Sequence, residues 1–380
     1  MAIDRRGFVT GAAALTGVGM MASPALAAAQ GASDPIKGWI VVNALGGIGD
    51  PNNPSGDTAR SSISPRVLAE AHASGLTMVN ITLGYVVGPQ DPFEDSVRDI
   101  AATDRMIRDN PRDLMKILSV ADIRRARAEG KVGLLYGFQN GAMMGKDATR
   151  VDIFANLGVR VFQLTYNPAN QIGDGSMAPE NRGITPFGRE VIERLNARRV
   201  MVDLSHSGER TCLEAARASR APISINHTGC RALTDLPRNK TDAELRLVAE
   251  RGGFVGIYFM PFLNKTGRAT AEDVVAHIDH AVNVCGEDHV GIGTDGTVTQ
   301  IDDLNAYRAK LAEENAQRRA AGISATGEGP DTYPFVVDLR GPDQFRKIAR
   351  LLEAKGYGPR RVEKIMGQNF LRYAEAIWGG

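Results

Sequence analysis

Apolar positions in this chain gather into short unbroken runs separated by amphipathic stretches. Eight such runs, at residues 39–45, 77–83, 132–138, 159–165, 200–204, 223–226, 254–259 and 290–293, are rich in Val, Ile, Leu and Phe. A strand with one wet face alternates apolar and polar residues, whereas a strand buried on both faces is apolar throughout, the signature of a parallel sheet. Between the runs, residues 186–198, 209–219, 241–251 and 271–284 carry apolar residues at helical spacing. Thr241-Asp242-Ala243-Glu244 has the spacing of a capping box and marks a helix start. Strands alternating with helices imply an α/β fold, and the count of eight favours a closed (β/α)8 TIM-type barrel over an open sheet. No Gly-x-Gly-x-x-Gly follows the first run, which argues against dinucleotide binding.

Two stretches break the rhythm. Residues 46–60, rich in Gly, Pro, Asn and Asp, form a loop after the first strand. Residues 300–335 are polar, with a helical piece at 303–321 and a Gly/Pro-rich remainder. Insertions that follow barrel strands stand on the catalytic face, so the second stretch is expected to be a lid or wall placed after strand 8.

The first 30 residues follow other rules. Arg5-Arg6 precedes an apolar run from Gly11 to Ala22, and Ala25-Leu26-Ala27 supplies an A-x-A cleavage pattern. This is an export signal with an arginine pair of the twin-arginine type, and its apolar run is shorter than the roughly 20 residues of a membrane-spanning helix. Residues 31–380 are then a single mature domain, periplasmic or secreted and without a membrane span. Twin-arginine export carries folded proteins, so a cofactor loaded before export becomes worth seeking.

Composition narrows the partners. The formal net charge is +1, and the charged residues form no basic stripe, which disfavours nucleic acid and anionic membranes. Cys212, Cys230 and Cys285 are odd in number and show no C-x-x-C spacing, so they demand neither a disulfide nor a metal.

The polar residues that close the runs carry the chemistry. Gln139-Asn140 ends the third run, Tyr166-Asn167 the fourth, Ser205-His206 the fifth, Asn226-His227 the sixth and Thr294-Asp295 the eighth. In a barrel these ends converge on one mouth. Of six histidines, His206 and His227 close adjacent strands, one α/β unit apart. Two neutral imidazoles with Asp295 are a plausible zinc donor set, and Asp295 is alternatively a general base on a water. His72, His277, His280 and His289 fall in helical stretches or at a strand start and are expected to be structural. Arg238-Asn239 follows His227 in a loop, where an arginine could grip a carboxylate through a bidentate fork.

With those residues in view, the chain resembles the renal (membrane) dipeptidase family of amidohydrolase barrels. The resemblance rests on LGVRVFQLTYNPAN (157–170), GITPFGREVIERLNARRVMVDLSHSGERT (183–211), PISINHTGCRALTDLPRN (222–239), RGGFVGIYFMPFL (251–263), HIDHAVNVCGEDHVGIGTDG (277–296) and GYGPRRVEKIMGQNFLRYAEAIW (356–378). It is strong from about residue 120 onward and weak in the N-terminal third. Family members hydrolyse dipeptides at a two-zinc centre and are often dimeric. The resemblance implies that His206 and His227 are metal ligands, that Asp295 handles the proton of the attacking water, and that Arg238, with Asn239 beside it, binds the substrate carboxylate.

Three positions depart from the family pattern. Where the first strand should carry His-x-Asp, this chain reads Asn43-Ala44-Leu45; where a bridging Glu should stand, it has Gln139; where a histidine should polarise the scissile carbonyl, it has Tyr166. A neutral amide cannot supply the charge that two adjacent dications need. The expectation is a reduced site of one zinc on His206 and His227 with Gln139 beside it, or none, and Tyr166 as carbonyl polariser. Three readings stay open: a metal-dependent hydrolase of dipeptides or small amides bearing a free carboxylate, a non-hydrolytic enzyme that tailors a peptidic metabolite, and an inactive relative that binds peptides or carboxylates.

Overall fold

A computed structural model of the chain describes residues 34–52, 63–329 and 332–379. The export signal and most of the loop expected at 46–60 fall outside the described residues. Nine parallel strands form one sheet: β1 (Val42–Gly46), β2 (Met78–Thr82), β3 (Leu114–Ile117), β4 (Val132–Phe138), β5 (Val159–Gln163), β6 (Met201–Asp203), β7 (Ser224–Thr228), β8 (Phe254–Ile257) and β9 (Val290–Ile292). Eight of them run in the order β1-β2-β4-β5-β6-β7-β8-β9, with helices between consecutive members. The amide of Asp295 donates to Leu45 O at 2.9 Å and that of Gly47 to Gly296 O at 3.0 Å, drawing the last strand onto the first. The result is a nearly closed (β/α)8 TIM-type barrel.

Each of the eight apolar runs overlaps one barrel strand, with β1 and β7 reaching one and two residues past their runs. The ninth, β3, was not expected. It pairs with the N-terminal half of β4, on the edge whose C-terminal half pairs with β5. Its Lys116 interrupts a four-residue apolar run, and the ammonium is held by Asp104 at 2.9 Å and Leu157 O at 2.8 Å.

The helices match their amphipathic stretches: Pro186–Ala197, Glu209–Ala218, Asp242–Glu250 and Ala271–Cys285. Thr241 and Glu244 make the reciprocal capping bonds their spacing predicts, which satisfies backbone donors left free at the helix start. The C-terminal helix, Asn369–Trp378, closes the barrel floor. Phe370 meets the β8 residue Phe254 edge-on at 5.3 Å, and the Asn369 amide donates to Val290 O at the start of β9. The opposite end, where the strands finish, is left as the mouth.

After β9 the chain inserts a 17-residue helix, Leu304–Ala320, then an irregular segment. Asn167 donates to Ile323 O at 2.8 Å, and Val336 N donates to Phe259 O at 3.0 Å. The insertion therefore lies against the mouth as a wall, as its position after the last strand implied. No described helix is long and apolar enough to cross a membrane. The three cysteines are buried and unbonded to one another.

Candidate active site at the barrel mouth

His206 and His227 stand side by side, with ring centroids 4.9 Å apart, and both are buried. His206 shares a 2.6 Å hydrogen bond between its Nδ1 and Asn167 Oδ1. An amide oxygen only accepts, so Nδ1 carries the proton and Nε2 keeps its lone pair. That lone pair faces Arg238, whose Nη2 lies 3.2 Å away. Tyr166 stacks on the His206 ring at 4.3 Å with planes 24° apart. Burial, together with the Arg238 charge, holds both imidazoles well below the usual histidine pKa, so both are neutral. Among the described residues neither nitrogen of His227 has a hydrogen-bond partner.

Arg238 is 2% exposed. Its Nη1 donates to Ser205 O at 2.6 Å, and its guanidinium lies 5.9 Å from the Tyr258 ring centroid. Among the described residues it makes no ion pair with a carboxylate. Neighbouring Lys240, equally buried, is compensated by Glu244 at 3.3 Å. Buried charges are ordinarily paired, so the bare guanidinium at the mouth stands out.

Asp295 closes β9 with φ of +56°, a left-handed backbone in which non-glycine residues are uncommon and aspartate is enriched. Burial pushes its carboxyl up to about 6, against the opposing pull of Arg238, Arg318 and a hydrogen bond from Gln139. Strain and a displaced pKa at one residue are what functional sites concentrate. Tight packing supports this corner: a Cβ at Gly293 would lie 1.9 Å from Asn226 O, so only glycine lets β9 approach β7 there.

The structure thus gathers His206, His227, Tyr166, Arg238, Gln139 and Asp295 around the mouth. Asn239 plays another part. Its amide donates to Thr234 O and Phe262 O, and its oxygen accepts from Tyr258, so the side chain is consumed in holding the loop that carries Arg238. Asn140 likewise braces loops through Val86 O, Ala142 N and Asn170. His72, His280 and His289 contact Asp113, Asp242 and Gly253 O, while His277 accepts from Cys230 N and bonds Leu263 O. Those four serve the scaffold.

Three contributors were not singled out from sequence. Asn167 orients His206 and also grips the insertion. Arg318, on the inserted helix, donates to the Tyr166 hydroxyl at 3.4 Å and is held by Glu328 at 2.7 and 3.0 Å. Asn167 stood at a strand end and could have been found there. Arg318 and Glu328 lie in a polar insertion, and nothing in their spacing points to the mouth.

A sequence profile of the membrane dipeptidase family, peptidase family M19, matches residues 78–319, well over half of the chain. The chain belongs to the membrane dipeptidase family. The match starts before residue 120, so part of the N-terminal third also carries the family pattern. An amidohydrolase from Pseudomonas aeruginosa is 30% identical, with a TM-score of 0.76 over 90% of this chain and 97% of that one. The dipeptidase tcpJ of Claviceps purpurea is 30% identical over 67% of this chain, which spans 53% of that protein's length. A metallopeptidase from Rhodobacter sphaeroides, solved with a phosphinate mimic of the dipeptide L-Ala-D-Ala, shares the fold at 20% identity, with a TM-score of 0.68 and coverage of 90% and 99%.

A two-metal dipeptidase centre does not fit the residues present. At the first strand, Asn43 is locked to Thr294: its Nδ2 donates to Thr294 Oγ1 and its Oδ1 accepts from Thr294 N, both at 2.8 Å. Gln139 hydrogen-bonds Asp295 and supplies no bridging charge. A single ion fares little better in this arrangement. The His206 tautomer suits a metal ligand. Yet its free lone pair is met by a guanidinium, and among the described residues no three His, Cys, Asp or Glu side chains group to hold a metal.

Proposed function

We propose that this member of the dipeptidase family hydrolyses dipeptides or similar small amides that bear a free carboxylate. The observation that carries the reading is Arg238: a buried cation without a carboxylate partner, at the mouth and beside a carboxyl displaced to about 6. A substrate carboxylate would complete it through a charge-assisted bond. Asp295 would take the proton of the attacking water as the water oxygen joins the scissile carbonyl, then pass it to the departing amine. The Tyr166 hydroxyl, backed by Arg318, would face the oxygen on which charge develops. The family assignment and the dipeptidase relative support amide hydrolysis over the tailoring and binding-only alternatives. Residues 1–30 imply action outside the cytoplasm; cell fractionation tests this, and retention of the full chain in the cytoplasm would refute it.

The deciding experiment replaces Arg238. R238M is expected to raise KM for a dipeptide by about a hundredfold, in line with loss of a buried charge-assisted contact. The corresponding dipeptide amide, which has no carboxylate, should respond far less. An equal effect on both substrates would remove Arg238 from carboxylate binding.

One observation favours a second reading. The two unpartnered nitrogens of His227 leave it able to join His206 on a single metal ion, provided Arg238 turns away from His206. Metal analysis of protein folded with zinc present separates the two. One zinc per chain that is lost in H206A/H227A supports this second reading, and its absence leaves the Arg238 arrangement in force.

A further inference from the structure

Beside the mouth lies a cavity of about 170 Å³ whose lining includes Asp295, Phe259, Ile301, Tyr307, Phe335 and Arg340. It is smaller than the roughly 300 Å³ at which whole-ligand pockets begin, and so is sized for one side chain. Most of its wall is apolar. Tyr307 and Phe335 face each other with ring centroids 5.4 Å apart, one from the inserted helix and one from the segment after it. Arg340 is the cation of the wall. Its Nη1 donates to Val337 O, its Nε is buried without a partner, and no described carboxylate forms an ion pair with it. A second guanidinium without an ion-pair partner, in a wall that also holds the Tyr307 and Phe335 rings, calls for an apolar group ending in an anion.

We propose that this cavity is a side-chain subsite, which takes from the substrate a side chain with an apolar stem and an anionic tip, the stem against Tyr307 and Phe335 and the tip on Arg340. The inference rests on the reading of the mouth as a site for dipeptide-like molecules and deepens it: the favoured substrates carry a glutamate-like residue beside the scissile bond. The Tyr307 and Phe335 rings come from the insertion after β9, while Phe259, Thr294 and Asp295 belong to the barrel's own strand ends, so the subsite lies where the insertion meets the mouth.

Calorimetry with Ala-Glu, Ala-Gln, Ala-Leu and Ala-Ala, and with the reversed dipeptides, tests the proposal without requiring turnover. In one of the two orders, the Glu dipeptide should bind about tenfold more tightly than its Gln counterpart, the ratio expected of one charge-assisted contact. R340M should bring that ratio to about one, while R340K, which keeps a cation, should preserve part of it. F335A should weaken the Glu and Leu dipeptides relative to the Ala one. Equal binding of Glu and Gln by the native protein, or a ratio that survives R340M, would overturn the subsite. Turnover followed in parallel keeps the two ideas apart. An Arg340-dependent preference without hydrolysis sustains the subsite and sinks the hydrolase, and hydrolysis without the preference does the reverse.

Discussion

Asp295 shows how much one residue is asked to hold. Its backbone ties β9 to β1, its φ of +56° is strained, and its carboxyl is displaced to about 6 by burial. A carboxyl with that pKa is half ionised near pH 6 and mostly ionised at neutrality, which suits a general base. In the proposed reaction, kcat/KM should fall about tenfold per pH unit below pH 6, and D295N should lose the acidic limb with roughly 10²–10⁴ of the rate. The same displacement bears on stability. Because the folded pKa lies above the unfolded value near 3.8, its stabilising contribution is complete below pH 3.8 and lost as pH rises through about 6. D295N should therefore melt about 2–4 °C above the native chain at pH 8 and match it at pH 4 by calorimetry. A lower melting point at pH 8 would mean that the ionised carboxylate is stabilised in place. At this scale the sequence was informative. His206, His227 and Asp295 stood out because chemistry-bearing side chains at strand ends are few, and Arg238 because it follows His227 in a loop at the same end. Whether Arg238 meets a substrate or a neighbouring imidazole depends on a 3.2 Å contact that no spacing reveals.

Among the elements, the eight barrel strands were legible because burial on both faces leaves an unbroken apolar run. β3 was not, since it is four residues long and has Lys116 in the middle. The inserted helix Leu304–Ala320 was visible as a helix, but its task was not. Only the fold brings Arg318 to Tyr166, 152 residues away in sequence. The link between wall and site is Asn167, buried, which holds Ile323 O with one end and His206 Nδ1 with the other. Removing a buried hydrogen-bond partner costs about 1–3 kcal/mol, and here the cost falls on the attachment of a surface segment. N167A should therefore speed limited proteolysis within 321–329 several-fold while global unfolding shifts only slightly. It should also lower kcat more than it raises KM, because His206 loses its tautomer constraint. Unchanged cleavage of the segment would show that Arg318–Glu328 and the Phe259–Val336 bond suffice to hold the wall.

At the scale of the whole molecule, closure of the barrel depends on particular side chains at its seam. The barrel has to join its last strand to its first, and the backbone contributes two bonds there, Asp295 N to Leu45 O and Gly47 N to Gly296 O. Asn43, at the position where the resemblance implies a metal-binding segment, adds two side-chain bonds to Thr294 across the same seam. A neutral polar side chain that is fully buried, with its oxygen and its nitrogen both bonded to Thr294, makes a poor metal ligand but does fasten the closure. Resemblance alone would register Asn43 as a lost ligand. In the fold it is a clamp that fastens the first strand of the barrel to the last. The clamp makes a quantitative claim. N43A removes both bonds and leaves the Thr294 amide buried without an acceptor, which should destabilise the protein by about 2–4 kcal/mol in urea unfolding. T294V keeps the bond from its backbone amide to Asn43 but leaves the Asn43 amide group buried without an acceptor and loses the hydroxyl's contacts with Gly296, so it should cost a comparable amount. If Asn43 were instead a residual site residue of no structural weight, N43A would unfold at the native urea midpoint and show its effect only in kinetics. Zinc in the unfolding buffer should not restore N43A, because the clamp, and not a metal, joins β1 to β9.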